Sequence, residues 1–383
     1  MSAGMLAIAA GYATADAREM FRAAAGEIVV ETIANGLEQP WSLAFLPDGR
    51  MLVTERPGRL RIVTREGVLS PPIEGVPVVF TVAGRQPGLL DVALDLNYTR
   101  NQTIYFCYVE PVDGGGRTVV ASARLIDEEP PRLDQVRTIF RARGPVGPEA
   151  NFGCRLLQTS DGNLFVTVGD YFDHWHEAQN LESHLGKILR IDPEGRAPPD
   201  NPFHDRPAVQ PETWSYGHRN PQGLAIHPGT GKLWSHEHGP RGGDELNVIE
   251  PGKNYGWPVI GYGTGYAGAK LHDGTHKEGM EQPIKYWEST IAPSGMAFYR
   301  ADLFPAWKGN LFVGALAGRM LVRIELDGER VVSEEYLLRD LNERIRDVRQ
   351  GPDGALWLLT GNPAGRILRV TPAATLTTAF DVD

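Results

Sequence analysis

Six copies of one strand–turn–strand phrase, 44 glycines with 29 prolines, and the lack of an amphipathic helical stretch predict an all-β protein, a six-bladed β-propeller. That much Gly and Pro without a collagen period implies many short strands joined by tight turns. The missing helical period disfavours βαβ units and a parallel sheet.

Each copy has a strand, a turn carrying Asp-Gly or a close equivalent, a second apolar strand, and a third strand with spaced basic residues. The first copy runs Trp41-Ser42-Leu43-Ala44-Phe45, Pro47-Asp48-Gly49-Arg50, Met51-Leu52-Val53-Thr54, Arg59-Leu60-Arg61-Ile62-Val63. The second has Leu89-Leu90-Asp91-Val92-Ala93-Leu94, Asn101-Gln102, Thr103-Ile104-Tyr105-Phe106 and residues 119–125. The third has residues 155–158, Asp161-Gly162-Asn163, Leu164-Phe165-Val166-Thr167-Val168 and Lys187-Ile188-Leu189-Arg190-Ile191. The fourth is built on Gly223-Leu224-Ala225-Ile226, Gly229-Thr230-Gly231, Lys232-Leu233-Trp234 and residues 245–249. The fifth uses Gly295-Met296-Ala297-Phe298, Lys308-Gly309-Asn310, Leu311-Phe312-Val313 and Leu321-Val322-Arg323-Ile324. The sixth closes with Ile345-Arg346-Asp347-Val348, Asp353-Gly354-Ala355, Leu356-Trp357-Leu358-Leu359 and Arg366-Ile367-Leu368-Arg369-Val370. Extra length falls in the Gly/Pro/His-rich connections 196–213 and 261–282, where sites are usually built on a rigid scaffold.

The 383 residues are read as one propeller domain over 27–375, with tails at 1–26 and 376–383. Residues 5–10 are apolar and Ala15-Asp16-Ala17 has the small-x-small form of a signal-peptidase site, but the first basic residue is Arg18. The tail is therefore either a clipped signal peptide, with a periplasmic or secreted protein behind it, or a segment fraying from a domain that starts at Glu27. No apolar run is long enough to span a bilayer. A net charge of -10 argues against nucleic acid as partner and leaves a small molecule, handled by a monomer or homodimer. Two cysteines, Cys107 and Cys154, make neither a disulfide framework nor a four-thiolate metal site.

Rossmann, P-loop and nucleophile-elbow signatures are not found. His174-x-His176 and His236-Glu237-His238 place each pair on one strand face, but zinc needs a third ligand, so both pairs are read as structural or pocket-lining. Four segments are polar where a propeller strand would be apolar. They are Gln86-Pro87-Gly88-Leu89-Leu90-Asp91, the string 216–223, the string 237–245 with 252–258, and Arg344-Ile345-Arg346-Asp347. Their arginines, amides and Gly-Pro carbonyls suit a planar polyanion held with a hard cation, because guanidinium pairs with carboxylates and oxygens suit Ca²⁺.

Over residues 38–372 the chain resembles the pyrroloquinoline-quinone (PQQ) dependent aldose sugar dehydrogenases, relatives of soluble quinoprotein glucose dehydrogenase. The resemblance is densest in Ser215-Tyr216-Gly217-His218-Arg219-Asn220-Pro221-Gln222-Gly223, in 236–245, in Pro293-Ser294-Gly295-Met296-Ala297-Phe298-Tyr299 and in Arg344-Ile345-Arg346-Asp347-Val348-Arg349. It implies a six-bladed propeller that oxidises a sugar or related alcohol by hydride transfer to Ca²⁺-bound PQQ. It implies quinone contacts at Gln86, Arg219, Asn220, Tyr266, Ala315, Ala317, Arg344 and Arg346. It also implies carbonyl ligands for one Ca²⁺ at Gly239 and Pro240, and ligands for a second at Glu245 and Tyr255. Arg219 would polarise the receiving carbonyl. The external electron acceptor is not named by the sequence.

The chain departs from the family at the base. Where relatives read His-Phe-Gly-Gly-Arg-Leu, this one reads Asn151-Phe152-Gly153-Cys154-Arg155-Leu156. A carboxamide accepts no proton at useful pH. Glu149, Asp170 and His176 are the substitute bases that spacing offers. Ala317 stands where some relatives carry lysine, and Gly361 where Leu-Thr-Asp is usual. Three readings stay open: an active quinoprotein dehydrogenase, a PQQ- or sugar-binding propeller without turnover, and a Ca²⁺-dependent hydrolase of lactonase type.

Overall fold

The apolar runs of the repeated phrase lack a polar face because neighbouring blades cover both of their faces. In the computed structural model, which describes residues 18–373 apart from 267 and 269, Leu164–Val168 and Leu356–Thr360 are buried at every position. Outermost strands such as Arg330–Leu337 are largely exposed instead.

The described strands form six antiparallel sheets, the predicted six blades. Blade 1 is Pro40–Phe45, Met51–Glu55 and Arg59–Val63. Blade 2 is Leu89–Leu94, Thr103–Val112, Gly115–Ile126 and Arg132–Arg141. Blade 3 is Leu156–Gln158, Leu164–Val168, Lys187–Ile191 and Thr213–Tyr216. Blade 4 is Pro221–Ile226, Leu233–Glu237, Asp244–Ile249 and Lys285–Trp287. Blade 5 is Pro293–Phe298, Leu311–Ala315, Met320–Asp327 and Arg330–Leu337. Blade 6 begins with Ile345–Gln350, Leu356–Thr360 and Ala364–Pro372. The sheet is completed by Gly26–Glu38, which pairs with Ala364–Pro372, and by Arg18–Ala23 on its outer edge.

Three of the repeated turns share one device. The carboxylates of Asp48, Asp161 and Asp353 accept from the backbone N–H two residues on, at 2.9, 3.1 and 3.1 Å. Gly49, Gly162 and Gly354 supply the left-handed residue that closes each turn, at φ 86°, 87° and 79°. Between consecutive blades lie six apolar clusters, including one between blades 6 and 1, so the core is a ring of wedges. Each Leu, Val or Phe in them contributes roughly 1.5–3 kcal/mol of burial.

The domain boundary expected at Glu27 moves. Arg18–Ala23 is a strand paired from Arg18↔Glu31 to Ala23↔Gly26, so the sheet begins before Glu27. Its side chains are mostly exposed, which is why no apolar pattern announced it. The signal-peptidase motif and the tail 376–383 lie outside the described residues. No helix among the described residues is long and apolar enough to cross a membrane.

The first strands of the blades line the central axis. Midway along it, Arg155 Nη1 reaches Asp91 Oδ1 at 3.2 Å and Asp347 Oδ1 at 3.3 Å. Arg349 Nε donates to Asp347 Oδ2 at 2.8 Å, and Ser42 Oγ to Asp91 Oδ1 at 2.5 Å. This network ties blades 1, 2, 3 and 6 together.

Candidate active site

The starts of all six first strands converge on one cavity of about 440 Å³. Its wall takes Trp41 from blade 1, Gln86 and Leu90 from blade 2, Phe152 and Gly153 from blade 3, Gln222 from blade 4, Ala292 from blade 5, and Arg344 and Arg346 from blade 6. Arg56, from the turn after Met51–Glu55, joins them.

Arg56, Arg344 and Arg346 are held by neutral groups. Arg56 Nε donates to Gln39 Oε1 at 3.1 Å, Arg344 Nη1 to the Leu316 carbonyl at 3.2 Å, and Arg346 Nη1 to Gln222 Oε1 at 3.3 Å. Among the described residues none of the three makes an ion pair. Burial lowers all three pKa values; repulsion between Arg56 and Arg344 adds to the effect on Arg56, and both press on Arg346. Uncompensated guanidiniums around a cavity are costly, and an anion placed there removes the cost. The donor set suits a flat polycarboxylate, with Trp41 beneath Arg346 at 5.6 Å.

Beside this cavity two strained segments cross. Asn151, Gly153 and Cys154 have φ 58°, 65° and 76°, and Tyr171 and Phe172 have 55° and 67°. Left-handed residues in such density mark over-determined backbone, the usual setting of a functional site. Gln86 Oε1 accepts from Asn151 N at 2.8 Å, and the Asn151 carbonyl accepts from Tyr171 N at 3.2 Å. Asn151 Nδ2 donates to Asp170 Oδ1 at 2.9 Å. Asp170 also accepts from Phe172 N at 2.8 Å and Trp257 Nε1 at 2.9 Å. Burial raises its pKa, against the pull of Arg219. Of the three substitute bases, Asp170 alone is brought to Asn151. Glu149 pairs with Arg85 at 3.2 Å, and His176 is exposed and stacked on Trp175. His238 lines the cavity, but burial holds its pKa down at about 3, a poor base.

Arg219 sits over Trp257 and donates through Nη1 to the Gly239 carbonyl at 2.8 Å. Asn220 is buried, its Oδ1 accepting from Gly153 N at 3.1 Å. A small void of about 20 Å³ nearby is lined by Arg219, Glu237, Glu245, Gly239, Pro240 and Tyr255. That is room for one small ion or water. Burial, then Glu237, pushes the Glu245 carboxyl up to about 8. Two carboxylates edged by the Gly-Pro segment suit a hard cation, with Arg219 lining the same void. Among the described residues no three His, Cys, Asp or Glu side chains gather as a metal centre, so backbone oxygens would complete any shell. The Tyr255 hydroxyl is not free for this, since it donates to the Val248 carbonyl at 2.6 Å and accepts from Glu250 N at 2.9 Å.

Of the eight residues expected at the quinone, Gln86, Arg344 and Arg346 line the cavity; Arg219, Asn220, Tyr266, Ala315 and Ala317 do not. Ala315 is fully buried in the cluster between blades 4 and 5, and Ala317 is exposed; Leu316, between them, faces the cavity. The strand ends at Ala315, so the turn, not strand alternation, sets which side chain points inward. Tyr266 is 61% exposed, with its hydroxyl 3.3 Å from Arg219 Nη2. Arg56, Trp41 and Gln222 were not singled out as site residues. Arg56 carried only a weak signal, a lone arginine before Pro57-Gly58.

Cys107 and Cys154 are joined in a disulfide. A second, wider cavity of about 1280 Å³ opens at the other end of the axis, beyond the Arg155 network, lined by Ala44, Leu94, Ile226 and Phe298. It holds no comparable set of free charges. Ser215 Oγ, His218 and Glu237 follow one another at 2.9 Å spacings like a hydrolytic triad. Ser215 is fully buried, however, and the chain ends on the Arg219 backbone N–H, so the arrangement positions Arg219.

The Glucose / Sorbosone dehydrogenase family model matches residues 37–369. Aldose sugar dehydrogenase YliI of Escherichia coli K12 is 42% identical over 354 residues, covering 91% of this chain and 94% of that protein. The soluble aldose sugar dehydrogenase structure from Escherichia coli, in apo-form, aligns with a TM-score of 0.86 at 42% identity, covering 90% of this chain and 100% of that one. The PQQ-bound aldose sugar dehydrogenase of Streptomyces coelicolor aligns with a TM-score of 0.73 at 31% identity, covering 90% and 98%.

Proposed function

Because the chain belongs to the glucose / sorbosone dehydrogenase family, we propose that it is a quinoprotein oxidoreductase that oxidises an aldose, using PQQ and Ca²⁺ and passing the electrons to an external acceptor. The observation that carries this is the trio Arg56, Arg344 and Arg346, three guanidiniums without an acid partner around a 440 Å³ cavity.

When bound, the quinone supplies the two-electron acceptor for the C1 hydride, and the cation polarises the carbonyl that receives it. The trio binds and orients the quinone carboxylates through charge-assisted hydrogen bonds. Trp41 and Phe152 wall the cavity. The Gly239 and Pro240 carbonyls would hold the cofactor's cation, and Glu245, beside Glu237, the second, structural one. Arg219 places a positive charge where negative charge develops. Asn151 orients the sugar C1 hydroxyl through its carboxamide oxygen, its Nδ2 being fixed on Asp170. Asp170, fully buried behind Asn151 and outside the cavity wall, fixes that carboxamide, and its raised pKa makes the hold sensitive to pH.

We place the protein in the periplasm or outside the cell. The Cys107–Cys154 bond supports this, since disulfides persist in oxidising compartments.

Purified protein titrated with PQQ plus Ca²⁺, then assayed for dye reduction over an aldose panel, tests the reading. Uptake with dye reduction is expected. Uptake without reduction would favour the second reading, a silent quinone-binding propeller, which Asn151 at the base position motivates. No uptake would overturn the proposal.

A further inference from the structure

Cys154 lies three residues after Asn151, next to Gly153 in the cavity wall, but its own side chain is not in that wall. It turns into the core between blades 2 and 3 and bonds Cys107, in the middle of Thr103–Val112. Both sulfurs belong to fully buried residues, packed with Val109, Val120, Val166 and Leu185. Cys154 also ends the left-handed run, at φ 76°, where a side chain costs roughly 1–2 kcal/mol and glycine costs nothing comparable. Hydrogen bonds hold the rest of the segment: Asn151 to Gln86, Asp170 and Tyr171 as above, Thr118 Oγ1 to the Phe152 carbonyl at 2.9 Å, Gly153 N to Asn220 Oδ1 at 3.1 Å, and Cys154 N to the Thr167 carbonyl at 2.7 Å; the disulfide is its one covalent tie to blade 2.

We propose that the Cys107–Cys154 bond is a positioning element of the reacting centre, holding covalently a left-handed backbone that glycine would adopt without it, and so fixing Asn151 on Asp170. The inference rests on the assignment of residues 151–154 to that centre. Its bearing is on geometry, because a displacement of about 1 Å at a reacting group costs on the order of 10²-fold in rate.

The test compares wild type with two paired variants, Cys107→Ala with Cys154→Ala, and Cys107→Ala with Cys154→Gly. Neither carries the bond; only the second carries a residue at ease at positive φ. Amide hydrogen exchange of a peptide covering 147–158 is measured on quinone-free protein, then quinone affinity, kcat and KM at a temperature well below melting. The alanine pair is expected to lose local protection and about 10–10²-fold in kcat, with quinone affinity nearly unchanged because the arginine trio is intact. The glycine pair is expected to recover most of both, while still melting below wild type. If both pairs keep wild-type exchange and kcat and only melt earlier, the bond is a stabiliser and the proposal is wrong. If glycine restores nothing, the conformational argument is wrong. Should the wild type take up no quinone, the functional reading fails, while the exchange comparison still decides this one.

Discussion

Replacing Asn151 with histidine should create the general base that the segment lacks. The backbone permits it, since Asn151 sits at φ 58° and histidine, like asparagine, is enriched in that region. Asn151 Nδ2 lies 2.9 Å from Asp170 Oδ1, so an imidazole built there donates Nδ1–H to the carboxylate and leaves Nε2 free for the sugar hydroxyl. A positioned base contributes typically 10² to 10⁴-fold, about 2.7–5.4 kcal/mol of barrier. The lower half of that range is expected, because Asn151 is only 3% exposed and the ring must displace neighbours. Cys154 should be left intact, its side chain being turned away from the cavity. The assay is quinone-saturated steady-state kinetics on simple aldoses across pH, where a new limb near the imidazole range should accompany the gain. Asp170→Ala in the Asn151→His background should abolish the gain, an interaction that a double-mutant cycle isolates. No gain and no new limb, with quinone uptake unchanged, would refute the placement of the reacting centre.

In the unmodified chain, the acid limb of kcat should lie above the ordinary carboxylate range: Asp170 has a raised pKa, so protonation on lowering the pH weakens its hold on Asn151 Nδ2 early, and a pH–rate profile checks this. Arg346→Gln should weaken quinone binding about 10–10²-fold yet raise the melting temperature of quinone-free protein by relieving like-charge repulsion; titration and melting measure the two effects. Glu245→Gln should shrink the drop in melting temperature that a chelator causes in Ca²⁺-loaded protein, where saturation at 100 times Kd is worth about 2.7 kcal/mol; equal chelator shifts would sink the cation assignment. Asp347→Ala should cost about 3–5 kcal/mol by leaving Arg155 and Arg349 to share Asp91, or roughly 4–6 °C in a chain of this size by calorimetry.

The inner three strands of each blade were legible because one phrase recurs and its Asp-Gly turns have a mechanism. Fourth strands such as Arg132–Arg141 were not: mostly exposed, they carry no apolar run and no repeated motif. The arginine strings stood out because charge interrupts otherwise buried strands, whereas Arg56 in a turn looked like any surface arginine. Leu316 lines the cavity in place of Ala315 and Ala317 because a strand end resets which side chain faces inward. The partnership of Cys107 with Cys154 was out of reach, since two cysteines 47 residues apart meet only once blades 2 and 3 are packed together.

The pairing of Gly26–Glu38 with Ala364–Pro372 governs the order in which this chain can be made. On the ribosome, the earliest described strands emerge with no sheet to join and wait while five blades assemble. Two of the six apolar wedges, those flanking blade 6, stay open to water until residues near Pro372 appear. Closure therefore has high contact order and comes late, so the growing chain carries an unpaired edge and two greasy seams through most of synthesis. A truncation that removes only Ala364–Pro372 would leave every cavity-lining residue present and still leave the ring unclosed.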